Sequence, residues 1–313
     1  MSKPIVVGYD PETSDRAPVN FGVAAARFTG APLIIASACA DTAAADRPGA
    51  GQHDEDLVTD ASGALDAARR ELEPEGIAVE CRELATTSAA RALHELSEAE
   101  DAGLLVVGST RRGAVGRVLP GSTAERLMHG APCPIAIVPP GWEAGGGLNT
   151  IGVAYVDSEE GREALRGGHA LARRAGAALR VLTAVKAGLA MYGETEPRTA
   201  EQRGRDFDEV EGELRVRAEA ALRRATDALD GEVAIATDAF VEDPADVLIR
   251  VSENLDLLVC GSRGYGPVRA VLLGGVSRRL TAEAQCPVIV LPRGVQASLD
   301  ALMEASPGAA AAG

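Results

Sequence analysis

Glycine residues gather in the second half of the chain at a spacing that suits anion binding. A short apolar run, 257–260, is followed by Gly261-Ser262-Arg263-Gly264, then nine residues, and then Gly274-Gly275-Val276-Ser277 at the start of a helical stretch. Glycine lets a backbone N–H group approach a ligand closely, and a helix N-terminus offers unpaired N–H groups to an anion. The spacing predicts a phosphate-binding loop; the alternative is that these glycines only turn the chain.

A related pattern in the first half departs from this spacing at one position. It reads Gly108-Ser109-Thr110-Arg111, nine residues, and then Gly121-Ser122-Thr123. Arg111 stands where the second glycine would be, so its side chain either blocks the loop or pairs with a phosphate. Ser122 and Thr123 are better N-cap residues than Gly275. Because Arg111 interrupts the glycine spacing of the first half, we expect the second half to bind an anion more tightly than the first.

Three further residues are candidates for contact with a nucleoside. Asp10 and Asp157 follow the first apolar run of each half. A carboxylate there can accept hydrogen bonds from a ribose or an adenine amino group; the alternative is an N-cap or Asx-turn. Tyr265, inside the second glycine loop, either covers a nucleotide or covers a hydrophobic edge.

The two glycine patterns belong to an internal repeat. Residues 108–141 align with residues 261–294 at a constant offset of 153, without a gap, and 14 of the 34 positions are identical. We predict two domains, 1–143 and 148–296, joined by the glycine-rich segment EAGGGLN. Residues 297–313 end in SPGAAAAG and are expected to form a flexible tail.

Short apolar runs alternate with longer segments of helical spacing in both repeats, which predicts parallel sheets covered by helices on both faces. The expected fold is α/β, with two tandem, doubly wound, five-stranded parallel sheets. Such sheets bind ligands beyond the strand carboxyl ends, where the strand order reverses. The predicted strands are 5–8, 33–38, 77–81, 104–107 and 135–138 in the first repeat, and 151–155, 179–185, 233–236, 257–260 and 288–291 in the second.

Charge and motifs narrow the functions that are compatible with the sequence. The formal charge is -15, from 31 basic and 46 acidic residues, so nucleic acid and anionic membranes are not expected as partners. No apolar stretch is long enough to span a membrane, and the N-terminus does not resemble a signal peptide, so we expect a cytoplasmic protein. P-loop, dinucleotide-binding and nucleophile-elbow motifs are absent, and the five cysteines show no zinc spacing.

As a whole the sequence resembles the tandem universal stress proteins of the adenine-nucleotide-binding type. The resemblance rests on the fingerprint G-2x-G-9x-G-(S/T) and on Cys-Pro before the last strand of each repeat. The second repeat matches the fingerprint at Gly261, Gly264 and Gly274, with Gly275 in place of Ser/Thr. It implies the Rossmann-like fold of that family, with the two final strands meeting across the domain interface. It also implies ATP held by the glycine loop, with Asp10 or Asp157 near the ribose or base.

These observations favour a nucleotide-binding regulator over an enzyme, because the glycine loops supply neither a base nor carboxylates for a metal. We expect ATP, with or without Mg²⁺, to alter an interaction with an unknown protein partner; the sequence does not distinguish ATP from ADP, AMP or a cyclic nucleotide. The alternatives are a slow ATPase or phosphotransferase on the same pocket and a ligand-free, chaperone-like scaffold. A monomer and a homodimer are both compatible with the tandem repeat.

Overall fold

The computed structural model describes residues 3–10, 13, 15–39, 66, 70, 72–86, 88–112, 118–120, 122–128, 130–186, 200–262, 275–292 and 299. Elements alternate between strand and helix in both halves. The first half contains β1 (Ile5–Tyr9), α1 (Ala17–Thr29), β2 (Leu33–Cys39), β3 (Val79–Ala85), α2 (Ala89–Ala99), β4 (Leu104–Gly108), β5 (Thr110–Arg112), β6 (Val118–Pro120), α3 (Ser122–Met128) and β7 (Ile135–Val138). The second contains β8 (Thr150–Ala154), α4 (Glu159–Ala175), β9 (Ala178–Ala184), α5 (Ala200–Thr226), β10 (Ile235–Phe240), α6 (Pro244–Ser252), β11 (Leu257–Gly261), α7 (Gly275–Glu283) and β12 (Val288–Leu291).

Each half contributes five parallel strands, which confirms the predicted fold class. The strands lie in the order β10-β9-β8-β11-β12-β7-β4-β1-β2-β3. The two predicted sheets are not separate, however, because β12 pairs with β7 in antiparallel orientation and joins them into one ten-stranded sheet. The expected meeting of the final strands is thus confirmed, and the expectation of two separate sheets is wrong. Both final strands are apolar on both faces, so each half would otherwise expose a hydrophobic edge.

The two halves point in opposite directions as a result of this antiparallel pair. The carboxyl ends of the strands in the first half lie at the same end of the sheet as the amino ends of the strands in the second half. A short hairpin that the sequence did not predict, β5 with β6, leaves the carboxyl edge of the first half. Its strand β6 contacts α7 of the second half.

Edge strands account for the largest errors in the predicted strand boundaries. The runs 77–81 and 233–236 are observed as Val79–Ala85 and Ile235–Phe240. Both strands lie at an outer edge of the sheet, where polar side chains are tolerated on an exposed face. Continuous apolar runs mark buried central strands, whereas the polar parts of these two edge strands carry no such signal.

Two apolar clusters fill the two faces of the sheet. One lies under α1, α4 and α5 and the other under α2, α3, α6 and α7, and both include residues of the two halves. Equivalent glycines bring the first helix of each half against its first strand. A Cβ on Gly22 would collide with Val7, and one on Gly168 would collide with Val153.

The segment that follows each final strand packs on the first helix of its half. In the first half, the Trp142 ring meets the Phe21 ring edge-on, with 5.4 Å between centroids. In the second half, Leu299 lies against Gly167 and is only 2% exposed. Leu299 is the one described residue of the segment 297–313, so the segment predicted as a flexible tail contacts the core there. The limits of the two predicted domains stay predictions.

Candidate functional site

The sheet has two positions where its strand order reverses, one in each half. They lie between β1 and β4 and between β8 and β11. In open parallel sheets, the crevice beyond the carboxyl ends at such a position is the usual place for a ligand. The two crevices lie at opposite ends of the sheet, because the halves run in opposite directions. The candidate residues follow the strands that border these crevices.

Gly261 ends β11 and lies directly against the start of α4. A Cβ at this position would stand 2.9 Å from the Glu160 Cβ and 3.1 Å from the carbonyl carbon of Glu160. Helix packing is thus sufficient to explain a glycine at Gly261. The other two glycines of the predicted loop, Gly264 and Gly274, lie outside the described residues, as do Arg263 and Tyr265.

The first turn of α7 contains the described remainder of the second glycine motif. The helix begins at Gly275, followed by a half-buried Val276 and by Ser277. Helix α7 has nine residues and ends shortly before β12 begins. Its N-terminus therefore faces the carboxyl edge of the second half, where its unpaired N–H groups favour an anion.

Ion pairs fix the position of α7 beside this edge. Arg279 of α7 donates to the Asp246 carboxylate at 2.7 Å and lies 3.7 Å from Asp243. Asp243 also accepts hydrogen bonds from Lys186 at 3.1 Å and from the Ala245 backbone at 3.0 Å. The Lys186 hydrogen bond is the main reason that the pKa of Asp243 lies below its usual value.

Sequence reasoning did not select Lys186 or Arg279, because neither lies in a glycine motif. Their shared partner Asp243 follows β10, the strand that pairs with the one that ends before Lys186. Asp243 caps the N-terminus of α6 and also contacts two cationic side chains.

A buried serine hydroxyl follows β4 at the border of the first crevice. Ser109 follows β4 and is 5% exposed, yet its Oγ has no hydrogen-bond partner in the part of the chain that the structure describes. A buried polar atom without a hydrogen bond is costly. A ligand in the crevice is one way to satisfy it. The neighbouring Gly108 is less confined than Gly261, since a Cβ there would lie 3.4 Å from Pro18.

The loop of the first half is a β-hairpin where the second half has its glycine motif. Arg111 lies in β5 and pairs with Leu119 of β6. Extended backbone accommodates any residue, so this position does not require glycine. Ser122 and Thr123 begin α3, and Gly121 lies outside the described residues.

Strand register identifies equivalent positions at the two crevices. Ile5 of β1 is level with Leu104 of β4, and Ile151 of β8 is level with Leu257 of β11. Since the ungapped repeat equates Leu104 with Leu257, Ile5 and Ile151 are equivalent. The first strands of the two halves therefore align without a gap.

This register gives the two predicted aspartates different places. Continued beyond the strands, it sets Asp10 level with Ser109 and Val156 level with Ser262. The residue equivalent to Asp10 is therefore Val156. Asp157 lies one position farther along the chain, at the start of α4.

The contacts of Asp157 indicate a structural role for its side chain. Its Oδ1 accepts a hydrogen bond from Arg162 at 2.6 Å, and the Tyr155 hydroxyl lies 3.4 Å from the same atom. Burial raises the pKa of Tyr155, and the Asp157 carboxylate raises it further.

Neither predicted aspartate caps the helix that follows it. The first N–H of α1 is bound by Asp15, whose Oδ1 accepts from Ala17 at 3.0 Å. Ser158 caps α4, since its Oγ accepts from Gly161 at 3.1 Å. The turn after Asp10 uses its backbone carbonyl, which Thr13 binds through both its amide and its hydroxyl.

Neither a metal site nor a membrane-spanning helix is present in the part of the chain that the structure describes. Among the described residues, no group of three or more His, Cys, Asp and Glu side chains is placed to hold a metal ion. No helix in the described ranges is both long and apolar enough to cross a membrane.

Comparison with known sequences identifies relatives of both halves. Residues 1–139 and 147–292 each match the family model of the universal stress proteins. A universal stress protein of Mycobacterium tuberculosis is 28% identical over 235 residues, which are 70% of this chain and 74% of that one. One from Mycolicibacterium smegmatis is 32% identical over 136 residues, which cover 44% of this chain and 97% of that one.

Solved structures share the tandem architecture. The crystal structure of a universal stress protein from Archaeoglobus fulgidus superimposes with a TM-score of 0.61 and 17% identity, over 94% of this chain and all of that one. A Pseudomonas aeruginosa protein described as functionally unknown gives 0.59 and 16%, over 97% and 96% of the two chains. These similarities concern the fold alone.

Proposed function

Because the chain belongs to the universal stress protein family, we propose that it binds an adenine nucleotide at its strand carboxyl edges and acts as a nucleotide-dependent regulator. The observation that carries this proposal is the buried Ser109 hydroxyl, which has no partner among the described residues and follows β4 where the strand order reverses. The N-terminus of α7 supports an anion at the matching place in the second half.

We further propose that the protein does not turn the nucleotide over. Phosphoryl transfer needs a positioned base and, in most enzymes, a metal held by carboxylates. At the edge of the second half, Asp243 and Asp246 are bound by Lys186 and Arg279. Their carboxylates are thus engaged by cations. We expect phosphate release from ATP to stay at the level of the buffer control.

Nucleotide binding is tested directly on the purified chain. Mass spectrometry of the denatured protein identifies any nucleotide retained, and calorimetric titration with ATP and Mg²⁺ measures affinity. A ligand that binds only the folded state also raises the melting temperature. No heat of binding and no thermal shift at millimolar ATP would contradict the proposal. ADP and AMP, titrated in parallel, establish which nucleotide is preferred.

Variants of the loops assign binding to each half. Gly264→Val adds a side chain where the second loop must approach a phosphate, and loss of two charge-assisted N–H contacts would weaken binding there by more than about tenfold. Arg111→Gly tests the first loop: affinity rises if the arginine blocks the site and falls if it pairs with a phosphate. Unchanged binding in Gly264→Val, with the circular dichroism spectrum intact, would place the site elsewhere.

The output of the regulator is proposed to be an altered interaction with a protein partner. Affinity capture with the chain loaded with ATP, compared with the nucleotide-free chain, tests this. Partners that appear only in one of the two samples are expected. The cytoplasmic location and the homodimer stay predictions from the sequence.

A further inference from the structure

The antiparallel strand pair that joins the two halves sets equivalent residues opposite each other at its centre. The repeat offset of 153 equates Ala136 of β7 with Ile289 of β12, and the strand register pairs these same two residues. A pseudo-twofold axis that relates the two halves therefore passes between them. If two identical halves paired in this way, each residue at the axis would meet its own copy.

The two residues at the centre of the strand pair differ in size and complement each other. Ala136 is fully buried and Ile289 is 4% exposed, and both belong to the apolar cluster under α1, α4 and α5. Directly opposed residues of an antiparallel pair have Cβ atoms about 4.5–5.5 Å apart, so their side chains share one space. Two alanines would leave a cavity in that space, and two isoleucines would overpack it.

A second unlike pair of equivalent residues meets where the ends of α1 and α4 approach each other. Phe28 of α1 and Arg174 of α4 each lie two residues before the left-handed glycine that ends their helix. The Arg174 guanidinium donates to the Phe28 carbonyl at 3.0 Å, and its Cζ lies 5.4 Å from the centre of the Phe28 ring. The cation thus contacts an aromatic ring and a carbonyl of the last turn of α1, which has no partner within the helix.

Two copies of the same half would lose this helix contact. Two second halves would bring two Arg174 guanidiniums together, and like charges at an interface disfavour the wrong partner. Two first halves would set Phe28 against Phe28 and leave both carbonyls without a cation. Both places where the axis passes therefore favour the unlike combination.

We propose that the surface around this axis is specific for an unlike partner: each half binds the other half of the chain and discriminates against a second copy of itself. Ala136 and Phe28 are the residues that determine this specificity in the first half, and Ile289 and Arg174 are those of the second. Discrimination arises from elements that disfavour the like pairs as well as from those that favour the unlike pair. It does not depend on whether the protein binds a nucleotide.

Like pairs can be built inside the intact chain, so the test uses the full-length protein. Ala136→Ile reproduces the strand contact of two second halves, Ile289→Ala reproduces that of two first halves, and the double substitution restores an unlike pair in reverse order. In urea unfolding, Ala136→Ile should raise the unfolding equilibrium constant about tenfold and Ile289→Ala about thirtyfold or more. The double variant should lie at least about tenfold below the product of these two effects, because its side chains again complement each other.

The helix pair is tested by the same cycle. Phe28→Arg reproduces the contact of two second halves, and Arg174→Phe added to it restores an unlike pair. The rise in the unfolding constant caused by Phe28→Arg should be at least about threefold smaller in the Arg174→Phe background than in the wild type. Arg174→Gln is the matched control, since it removes the like charge without supplying a ring, and it should rescue less. Added salt should reduce the effect of Phe28→Arg in the wild-type background, because it screens two exposed cations.

Two results would count against the proposal. Effects that simply multiply in both double variants would overturn it, because the axis would then not distinguish like from unlike pairs. An equal rescue by Arg174→Gln and Arg174→Phe would overturn the role assigned to Phe28. The helix pair lies at the surface, so its variants should remain folded even if a substitution at Ala136 or Ile289 unfolds the chain, and circular dichroism checks each variant before unfolding.

Discussion

Two glycines at equivalent places in the repeat have different neighbours, which yields a matched pair of substitutions. Gly261→Ala brings a methyl group within about 3 Å of the Glu160 backbone, and overpacking of this kind costs about 1–3 kcal/mol. Gly108→Ala meets only the Pro18 ring at 3.4 Å, so its effect should stay within about 0.5 kcal/mol. Urea unfolding of the two variants checks this. Equal losses of stability would mean that α4 shifts to accept the methyl group.

Buried thiols give a second prediction at the scale of single residues. Burial raises the pKa of Cys133, Cys260 and Cys286 to about 12. Because the thiolate is the reactive form, these three should not react with a thiol reagent at pH 8 in the native state. Unfolding in denaturant should expose all five cysteines of the chain. Rapid native labelling of three or more thiols would contradict this burial.

The same raised pKa values set the sign of a pH effect on stability. In the unfolded chain the thiols ionise near their ordinary pKa of about 8.5, whereas the folded protein keeps Cys133, Cys260 and Cys286 neutral up to about 12. The unfolding free energy should therefore be insensitive to these groups below pH 8 and fall as the pH rises from about 8.5 toward 12. Substitution of Cys260 by alanine should reduce the slope of that fall.

Residue-level predictions from the sequence succeeded where a motif has a fixed spacing. Both final strands and the helix that starts at Gly275 lie where the repeat placed them. The sequence could not decide between Asp157 and Val156 as the equivalent of Asp10, because a one-residue slip produces an attractive match of two aspartates. Only hydrogen-bond register between strands separates the two alignments.

Leu299, which follows β12 in the chain, packs on α4. Leu299 fills the space that Gly167 leaves on this helix, much as Trp142 covers Phe21 on α1. Leu299→Ala should cost about 2 kcal/mol or more, the usual loss for a buried leucine. Val216→Ala on α5 is the control, since Val216 is 65% exposed and should change stability by less than about 0.5 kcal/mol. A thermal melt unaffected by Leu299→Ala would mean that this contact does not stabilise the fold.

Helix α6 depends on Asp243 for both a cap and an ion pair, and two substitutions separate these contributions. Asp243→Asn keeps an N-cap oxygen for Ala245 but loses the charge that Lys186 and Arg279 contact. Asp243→Ala loses both, so it should cost about 1 kcal/mol more than asparagine. Denaturant titration at low and high salt checks this, and only the aspartate form should show a salt dependence from these pairs. Identical stabilities of the two variants would rule out a role for the cap.

Elements could be predicted from the sequence in proportion to how fully they are buried. Central strands such as β4 and β11 read as continuous apolar runs and were placed correctly. Strand β10 includes the polar residues Thr237 and Asp238, and strand β3 includes Glu80 and Arg82, so neither strand resembles an apolar run. The β5–β6 hairpin has too few residues per strand to give any periodic signal.

At the scale of the whole molecule, the tandem chain joins two five-stranded sheets by pairing β7 with β12. Each of these strands would otherwise be an exposed edge. Residues of the β7–β12 pair are almost completely buried, including Ile135 and Ile137 on one strand and Val288 and Val290 on the other. The helices of both halves cover this pair on its two faces. The pair therefore contributes to both apolar clusters, one on each face of the sheet.

This arrangement predicts how the two halves behave when they are separated. If residues 1–143 and 148–313 are produced as two polypeptides, each exposes its final strand as a flat, apolar edge, and such edges pair with a second copy. Each half alone should therefore form a dimer through its own final strand, and mixing the two should yield a heterodimer with the mass of the intact chain. The intact chain already fills this edge, so it should not dimerise through it.

Multi-angle light scattering across a concentration series measures all four samples: each half alone, the mixture and the intact chain. A proline in place of Ile137, whose N–H faces Val288 of β12 and not β4, should weaken both dimers that contain the first half and leave the dimer of the second half intact. Stable monomers of either isolated half would show that the antiparallel pair only follows from the covalent linkage and does not drive the association.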